Sequence, residues 1–387
     1  MTNRATLGRD LLRAAHLTPG LTRADAARAL GTGTGTTTEI VVRLLGEHLL
    51  AEGPPSATGR RGRPTRPLVA HPEGPLVLAA AISHEDWRLR VVELGGAVVA
   101  ETGGPHGAGG PDAVLAAVRA AARGALRRFP RRVRGAGLAV PGLVREAHLL
   151  DAPLLGWHDV DLRAAWPRSP DLPADLVLAG NDARCAAVAE AVRGRAAGSR
   201  LHLHLHLDAG LGGALTTDGQ LLDGARGSAG EFGHLPFGDP ARRCGCGASG
   251  CWGTALDGAA LARLLGEQDP PDPVSHGHRV LDRAGAGDPA AGRAVAVVAR
   301  ALGRGTAGLV NALDADLVTL GGLAGRVLDV APGEVRAALE AGSMAVRRSS
   351  PAVLAAAALG ADGPLVGAGE LVWSRWWDRP AGPRGAG

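Results

Sequence analysis

The chain contains no lysine and no tyrosine, only two methionines and three phenylalanines, and aromatic residues make up 3% of it. All 42 basic side chains are therefore arginines. A wholesale replacement of this kind reflects a GC-biased genome, so an arginine here carries less functional information than usual. Long apolar runs are absent too. None reaches the roughly 20 residues that a membrane-spanning helix needs, which excludes a helical membrane protein. Cysteine is sparse, with four in 387 residues. No secretory signal leads the chain, so a reducing compartment is expected and disulfides are disfavoured. The expectation is a soluble cytoplasmic protein.

What remains is globular and turn-rich. Hydrophobic residues make up 45%, with 59 glycines and 26 prolines, in a length that suits two or three domains and a sizeable core. Charge is unevenly placed. Residues 1–73 hold ten arginines against six acids, and the other 32 arginines are matched by 32 acids. The whole formal excess of +4 thus sits on the N-terminal segment. A basic end on a neutral body points to an anionic partner for that end.

Three of the four cysteines fall within eight residues. With a histidine ahead of them they read Glu231-Phe-Gly-His234, then Cys244-Gly-Cys246 and Cys251, a His-x9-Cys-x-Cys-x4-Cys pattern. One imidazole and three thiolates can close a tetrahedral shell, and a closed shell is the structural kind. Soft sulfur ligands favour zinc over a hard cation. Gly245, Gly247 and Gly250 let the backbone bend between close-spaced ligands. The alternatives are a free-thiol loop or a disulfide.

The same stretch, Glu-x-Gly-His followed by Cys-x-Cys-Gly-x-x-Gly-Cys, resembles the zinc motif of the ROK family (repressors, open reading frames, kinases). That family joins sugar kinases to sugar-responsive transcription factors. The resemblance implies an α/β fold: a two-lobed, actin-like ATPase body of ribonuclease H-like sheets, preceded here by an N-terminal winged helix-turn-helix. It divides the chain into residues 1–73 (DNA-binding), 74–180 (first lobe), 181–377 (second lobe with the zinc motif) and a disordered tail, 378–387. It also implies zinc held by His234, Cys244, Cys246 and Cys251, and a homodimer or homotetramer.

In the first segment Leu7, Leu11, Leu12 and Ala15 have helical spacing, and Thr18-Pro-Gly ends that helix. Thr22 with Asp25 is a capping-box-like start for a second short helix, which Gly31 ends. Thr38–Leu50 resumes helical spacing. Helix, turn, helix is the arrangement that lays a second helix in a major groove. Gly59-Arg60-Arg61-Gly62-Arg63-Pro64 follows and resembles the wing of ROK repressors, where arginine meets phosphate or a narrow minor groove. A flexible basic linker is the plainer alternative. The presumed recognition helix opens Gly33-Thr-Gly-Thr-Thr-Thr-Glu39, where ROK repressors carry Ser, Arg and other polar readers. Thr34, Thr36, Thr37, Thr38 and Arg43 remain as candidate DNA contacts, with modest affinity carried largely by Arg60, Arg61 and Arg63.

The body departs from the kinase pattern at both phosphate turns. The first hairpin turn, Asp-x-Gly-Gly-Thr in the family, aligns with Ala81, Ser83, His84 and Glu85. The second, Gly-Thr-Gly-x-Gly-x-Gly, aligns with Asp208-Ala-Gly-Leu-Gly-Gly213. A phosphate cradle needs exposed N–H groups and no local acid, so ATP is not an expected ligand. Asn181-Asp182 matches the Asn-Asp of the kinases, in which the Asp is general base to a sugar hydroxyl. By itself it also reads as an ordinary helix N-cap. Asn181, Asp182, Glu231 and His234 are the implied sugar contacts, with Pro141-Gly142 nearby in the family. Gly253 stands where the family usually has a second Glu. Trp252 is either a sugar-stacking face or core. Leu201-His-Leu-His-Leu-His-Leu207 alternates strictly. Its His202, His204 and His206 read as a half-exposed strand face rather than metal ligands. Cys185 reads as a buried small hydrophobe, and residues 308–322 as structural. The leading expectation is a sugar- or sugar-phosphate-responsive regulator of double-stranded DNA, most simply a repressor. An ATP-dependent sugar kinase with a fused DNA-binding domain, with Asp182 as its catalytic base, is the alternative.

Overall fold

The computed structural model describes residues 4–55, 65–106, 109–146, 148–152, 155–225, 227 and 229–379. It opens with α1 (Arg4–Leu17), α2 (Arg23–Leu30) and α3 (Thr34–Gly46), then a hairpin of β1 (Leu50–Glu52) and β2 (Leu68–Ala70). Three helices thus precede a two-stranded antiparallel hairpin. The predicted capping box is present: the Thr22 hydroxyl accepts the Asp25 amide at 3.2 Å, and the Asp25 carboxylate accepts the Thr22 amide at 3.0 Å. Gly31 closes α2 in the left-handed conformation, at φ 58°. A bridge between Thr22 and Pro67 ties the entrance of α2 to the hairpin. Leu11, Ala26, Ile40, Val41, Leu44, Leu50 and Leu68 form the buried centre of this part.

The next strands are β3 (Leu76–Ile82), β4 (Asp86–Glu93) and β5 (Val98–Pro105), then α4 (Gly110–Arg128) and β6 (Val133–Val140). A separate small sheet follows, from β7 (Leu143–Arg145), β8 (Leu149–Ala152) and β9 (Trp157–Asp161). β10 (Val177–Asn181) completes the first five-stranded sheet, in the order β10-β6-β3-β4-β5. β3, β4 and β5 are antiparallel neighbours.

After α5 (Asp182–Arg193) come β11 (Leu201–Leu207), β12 (Leu211–Thr217) and β13 (Gln220–Leu221). Helices α6 (Gly258–Leu264), α7 (Pro273–Gly285) and α8 (Pro289–Leu313) precede β14 (Leu317–Gly322). Then follow α9 (Leu323–Val330), α10 (Pro332–Gly342), α11 (Ala345–Ser349), β15 (Val353–Ala356) and α12 (Gly363–Asp378). The second sheet runs β13-β12-β11-β14-β15. Its order of third, second, first, fourth and fifth strand repeats that of the first sheet. β11 pairs antiparallel with β12 and parallel with β14. Leu203, Leu205 and Leu207 enter a core shared with Val298, Leu302, Val318 and Leu323.

Several expectations change. His202, His204 and His206 are buried, at 0%, 0% and 6% exposure. Leu203, Leu205 and Leu207 on the opposite face are buried as well, so both faces of β11 are covered. Trp252 is core, fully buried, with its Nε1 donating to Ala301 O at 3.1 Å. The lobe boundaries also differ. One compact unit takes residues up to Leu138, Asp161–Ala179 and the chain from Ala368; the other takes Ala139–Val160 and Gly180–Gly367. The chain thus returns to the first unit within α12, where Val372 and Trp373 are completely buried. Tail residues 380–387 lie outside the described residues, as do Arg60, Arg61 and Arg63. Among the described residues no helix is long and apolar enough to cross a membrane.

Within the first unit, His16 near the end of α1 is 1% exposed. Its Nδ1 accepts the Gly95 amide at 3.0 Å, so Nε2 carries the proton shared with Glu370 Oε2 at 2.8 Å. Trp373 and Trp377 flank the ring at 5.2 and 5.7 Å. This contact joins the first helix of the chain to its last.

Candidate functional site

His234, Cys244, Cys246 and Cys251 come together as the sequence predicts. Their ligand atoms all lie within 4.8 Å of one another, and this group could hold a metal ion. Cys244 Sγ is 3.7 Å from His234 Nδ1, and Cys246 Sγ is 3.7 Å from Cys251 Sγ. A disulfide needs sulfurs about 2.05 Å apart, and all four cysteines are free. The backbone supports the cluster locally: the Cys244 amide donates to Ala248 O at 2.8 Å, and Gly247 donates to Cys244 O at 3.0 Å. Burial and the two neighbouring thiols push the Cys251 thiol up to about 12. Alone, Cys251 therefore keeps its proton, and only a cation among the three sulfurs would make all of them thiolates. The other ring nitrogen of His234, Nε2, faces Glu231 Oε2 at 3.8 Å.

Asn181 and Asp182 stand at the start of α5, at the end of β10. Both local and functional roles are visible there. Asn181 is the N-cap, its Oδ1 accepting the Arg184 amide at 3.2 Å. Its Nδ2 reaches Gly142 O at 3.0 Å, and Gly142 holds φ 117°, a value open to glycine. Asp182 accepts the Ala183 amide at 2.8 Å. Desolvation pushes its carboxyl up to about 6, with Asp208 adding to the rise and His206 opposing it. The segment carrying Glu231 and His234 packs on the same strand as this turn. A side chain at Gly212 of β12 would meet Ala183 Cβ at 2.8 Å, and one at Gly213 would meet Phe232 at 2.7 Å. Gly253 borders this place as well, with Gly233 O and Leu211 N each 3.4 Å from where its Cβ would be.

Both phosphate-type turns are filled by their own side chains. In the β3–β4 turn the Ser83 hydroxyl accepts the amides of Glu85 and Asp86 at 3.2 and 3.1 Å and donates to Asp86 Oδ1 at 2.6 Å. In the β11–β12 turn Asp208 Oδ2 pairs with His206 Nε2 at 3.0 Å. Burial works against a charge on His206. The Asp208 carboxylate outweighs it, with help from Asp182, and His206 rises to about 9. Along the same strand face burial drives His202 down to about 4 and His204 well below its ordinary value. Both rings contact Thr319 Oγ1, at 2.6 and 2.8 Å. That hydroxyl has one proton to give, so at least one imidazole donates to it. The alternation of the strand was legible; the charge pattern, neutral, neutral, charged, was not. Asp208, two residues beyond His206, was the available signal for it.

On α3, Thr34, Thr36 and Thr38 are exposed. Thr37 is not: it is 1% exposed, and its hydroxyl contacts Thr32 Oγ1 at 2.8 Å and Gly33 O at 3.2 Å. It is removed from the outward set because the phase of α3 turns it toward the helix start. Arg43 is also turned inward, its guanidinium packed where a side chain at Gly8 of α1 would stand. Val42, which sequence reasoning passed over, is 57% exposed on the outward face.

Two sheets of one topology, with a helix N-terminus and a His/Cys cluster set against the second, define an actin-like, two-lobed α/β protein. The family model for the ROK family matches residues 91–375, and the chain belongs to that family. It is 30% identical over 253 residues to a glucokinase of Halalkalibacterium halodurans, covering 62% of this chain and 76% of that protein. It is 29% identical over 206 residues to the xylose repressor of Caldicellulosiruptor bescii, covering 50% of this chain and 51% of the repressor. Among solved structures, a ROK family transcriptional regulator described as a homologue of the E. coli MLC protein superposes with a TM-score of 0.73. It is 20% identical and covers 97% of this chain and 98% of that one.

Proposed function

We propose that this chain is a sugar-responsive, DNA-binding regulator, a repressor in the simplest reading, whose His/Cys cluster holds a structural zinc ion. The observation that carries this reading is the pair of phosphate-type turns already satisfied from within, by Ser83 in one and by the His206–Asp208 pair in the other. A triphosphate would have to displace those bonds and meet the Asp208 carboxylate. A three-helix and hairpin unit stands ahead of the body, and likeness to a repressor and to a regulator agrees with it.

Thr34, Thr36, Thr38 and Val42 offer hydroxyls and a methyl-rich surface to base edges. Arg60, Arg61 and Arg63 supply charge to the phosphates. Thr37 and Arg43, directed inward, are not among these contacts. The sugar, or sugar phosphate, would meet Asn181, Asp182, Glu231 and His234. Zinc suits the donor set: with Zn–S about 2.3 Å, tetrahedral sulfurs stand about 3.8 Å apart, close to the 3.7 Å found between Cys246 and Cys251. Zinc would orient His234 without taking part in chemistry. A sugar that favours one of two states, where DNA favours the other, lowers DNA affinity by the same factor by which DNA lowers sugar affinity.

The test is fluorescence anisotropy of the full chain with its own upstream DNA at two salt concentrations. Salt-dependent binding should weaken when Arg60, Arg61 and Arg63 are changed together to alanine, and the salt slope should fall with it. Unchanged binding in that variant would refute the wing assignment; no binding by the intact chain at low salt would refute the regulator reading for that DNA. One observation favours a second reading, an ATP-dependent sugar kinase: Asp182, held up at about 6, has the proton affinity of a general base. Sugar- and ATP-dependent ADP release that Asp182→Asn abolishes would establish it.

A further inference from the structure

A second group of metal-type side chains lies far from the cysteines in sequence. His48, His71 and Glu73 each offer one ligand atom, all within 4.8 Å of one another. The two imidazoles stack with centroids 4.4 Å apart and planes at 11°. His48 Nδ1 stands 3.6 Å from Glu73 Oε2. We propose that His48, His71 and Glu73 form a binding site for a divalent transition-metal ion at the base of the β1–β2 hairpin.

The chain holds these residues in place on both sides. His48 follows α3 with φ 56°, a left-handed conformation that costs a non-glycine residue about 1–2 kcal/mol. Its amide and that of Leu49 still donate back to Leu45 O and Leu44 O, at 3.2 and 3.0 Å, so the helix end anchors it. His71 and Glu73 belong to a tight turn, His71-Pro72-Glu73-Gly74, closed by the Gly74 amide on His71 O at 2.7 Å. Proline in second place stiffens such a turn. The side chains of His48 and Glu73 are 60% and 75% exposed, so an ion can reach them.

Two imidazoles and one carboxylate suit Zn2+, Co2+, Ni2+ or Cu2+ and are a poor set for Mg2+ or Ca2+. Three protein donors leave further positions to water. Binding has one local cost. His71 Nδ1 accepts the Glu73 amide at 3.1 Å. It must release that amide to ligate, or take up the proton when Nε2 ligates. Either way the Glu73 amide turns to solvent, which its exposed position permits.

The placement gives the ion a structural consequence. His48 precedes β1, and His71 and Glu73 follow β2. A bound ion would tie the residue before β1 to the turn after β2, just outside the Leu50–Ala70 pair.

The experiment is equilibrium dialysis of the untagged full chain against Zn2+, with metal counted per chain. The wild type should bind one equivalent more than His48→Ala/His71→Ala, and Glu73→Gln should weaken that equivalent about tenfold or more. Cys244→Ser/Cys246→Ser should keep it, which separates this site from the cysteine cluster whether or not the latter takes zinc. Co2+ there should absorb weakly and lack the thiolate charge-transfer band. Equal zinc counts in the wild type and the double histidine variant would overturn the proposal. So would loss of the equivalent only in the cysteine variant. The substituted side chains lie outside the core, so circular dichroism should confirm that the fold is retained.

Discussion

At position 208 a carboxylate occupies a turn where the family pattern carries glycine, and its partner His206 lies under the sheet surface. The pair makes a pH prediction with a definite sign. His206 is raised from 6.5 to about 9. Its contribution to stability is therefore complete below about pH 6.5 and is lost as pH climbs through about 9. The rise corresponds to about 3 kcal/mol at most. Urea denaturation at pH 6.5 and pH 9 should show that loss in the wild type, and a smaller difference between the two pH values in Asp208→Asn. Equal pH dependence in the two proteins would mean that Asp208 does not hold the charge. A second pair of residues tests packing. Gly305 of α8 lies against the Trp252 indole, with no room for a Cβ, whereas Gly292 of the same helix has nothing within 4 Å. Gly305→Ala should cost about 1–3 kcal/mol by overpacking. Gly292→Ala should add about 0.4–1 kcal/mol by lowering the freedom of the unfolded chain. Urea midpoints that move in the same direction would contradict this.

Among the elements, α1 is tied to β4–β5 and α12 as well as to α2 and α3, because His16 is held between Gly95 and Glu370. His16→Ala removes a hydrogen bond to a buried carboxylate and should destabilise the protein by about 2–3 kcal/mol, measured by denaturant midpoint. A loss within 0.5 kcal/mol would mean that the pair is dispensable. The elements also show what sequence patterns can carry. The α2 capping box and the His/Cys cluster were legible because each is decided by residues a few places apart. The burial of Thr37 was not, since it depends on how α3 is turned against its neighbours. Nor was the burial of the histidine strand: strict alternation marks a strand but not what covers its faces, and β11 pairs on one side with β14, far along the chain.

For the whole molecule, the His/Cys cluster closes the stretch from 234 to 251 on itself, and the turn carrying His234 packs on β12, as α5 does. Elemental analysis should find zinc in the purified protein at one or more ions per chain, and a count well below one would refute zinc in the cysteine cluster. Removing the ion with a chelator should lower the thermal midpoint and weaken sugar binding in calorimetry, because His234 would lose its orientation. Sugar binding unchanged after metal removal would separate His234 from the sugar site. The contact between Asn181 and Gly142 O belongs to this scale, joining residues 39 apart in sequence. The resemblance placed both residues near a sugar, but only the fold shows the bond.

By itself the sequence determined the family, the metal-type cluster, the caps and turns, and the loss of glycine from both phosphate-type turns. These follow from residue identity and short-range geometry. Tertiary structure decided the rest. It buried His202, His204 and His206, charged only the last of them, and put Trp252 in the core. It also turned Thr37 and Arg43 inward, returned α12 to the first unit, and brought His48 to His71 and Glu73. In each case the deciding neighbour is distant along the chain or set by strand order and helix phase, and desolvation and pairing act on whichever groups the fold brings together.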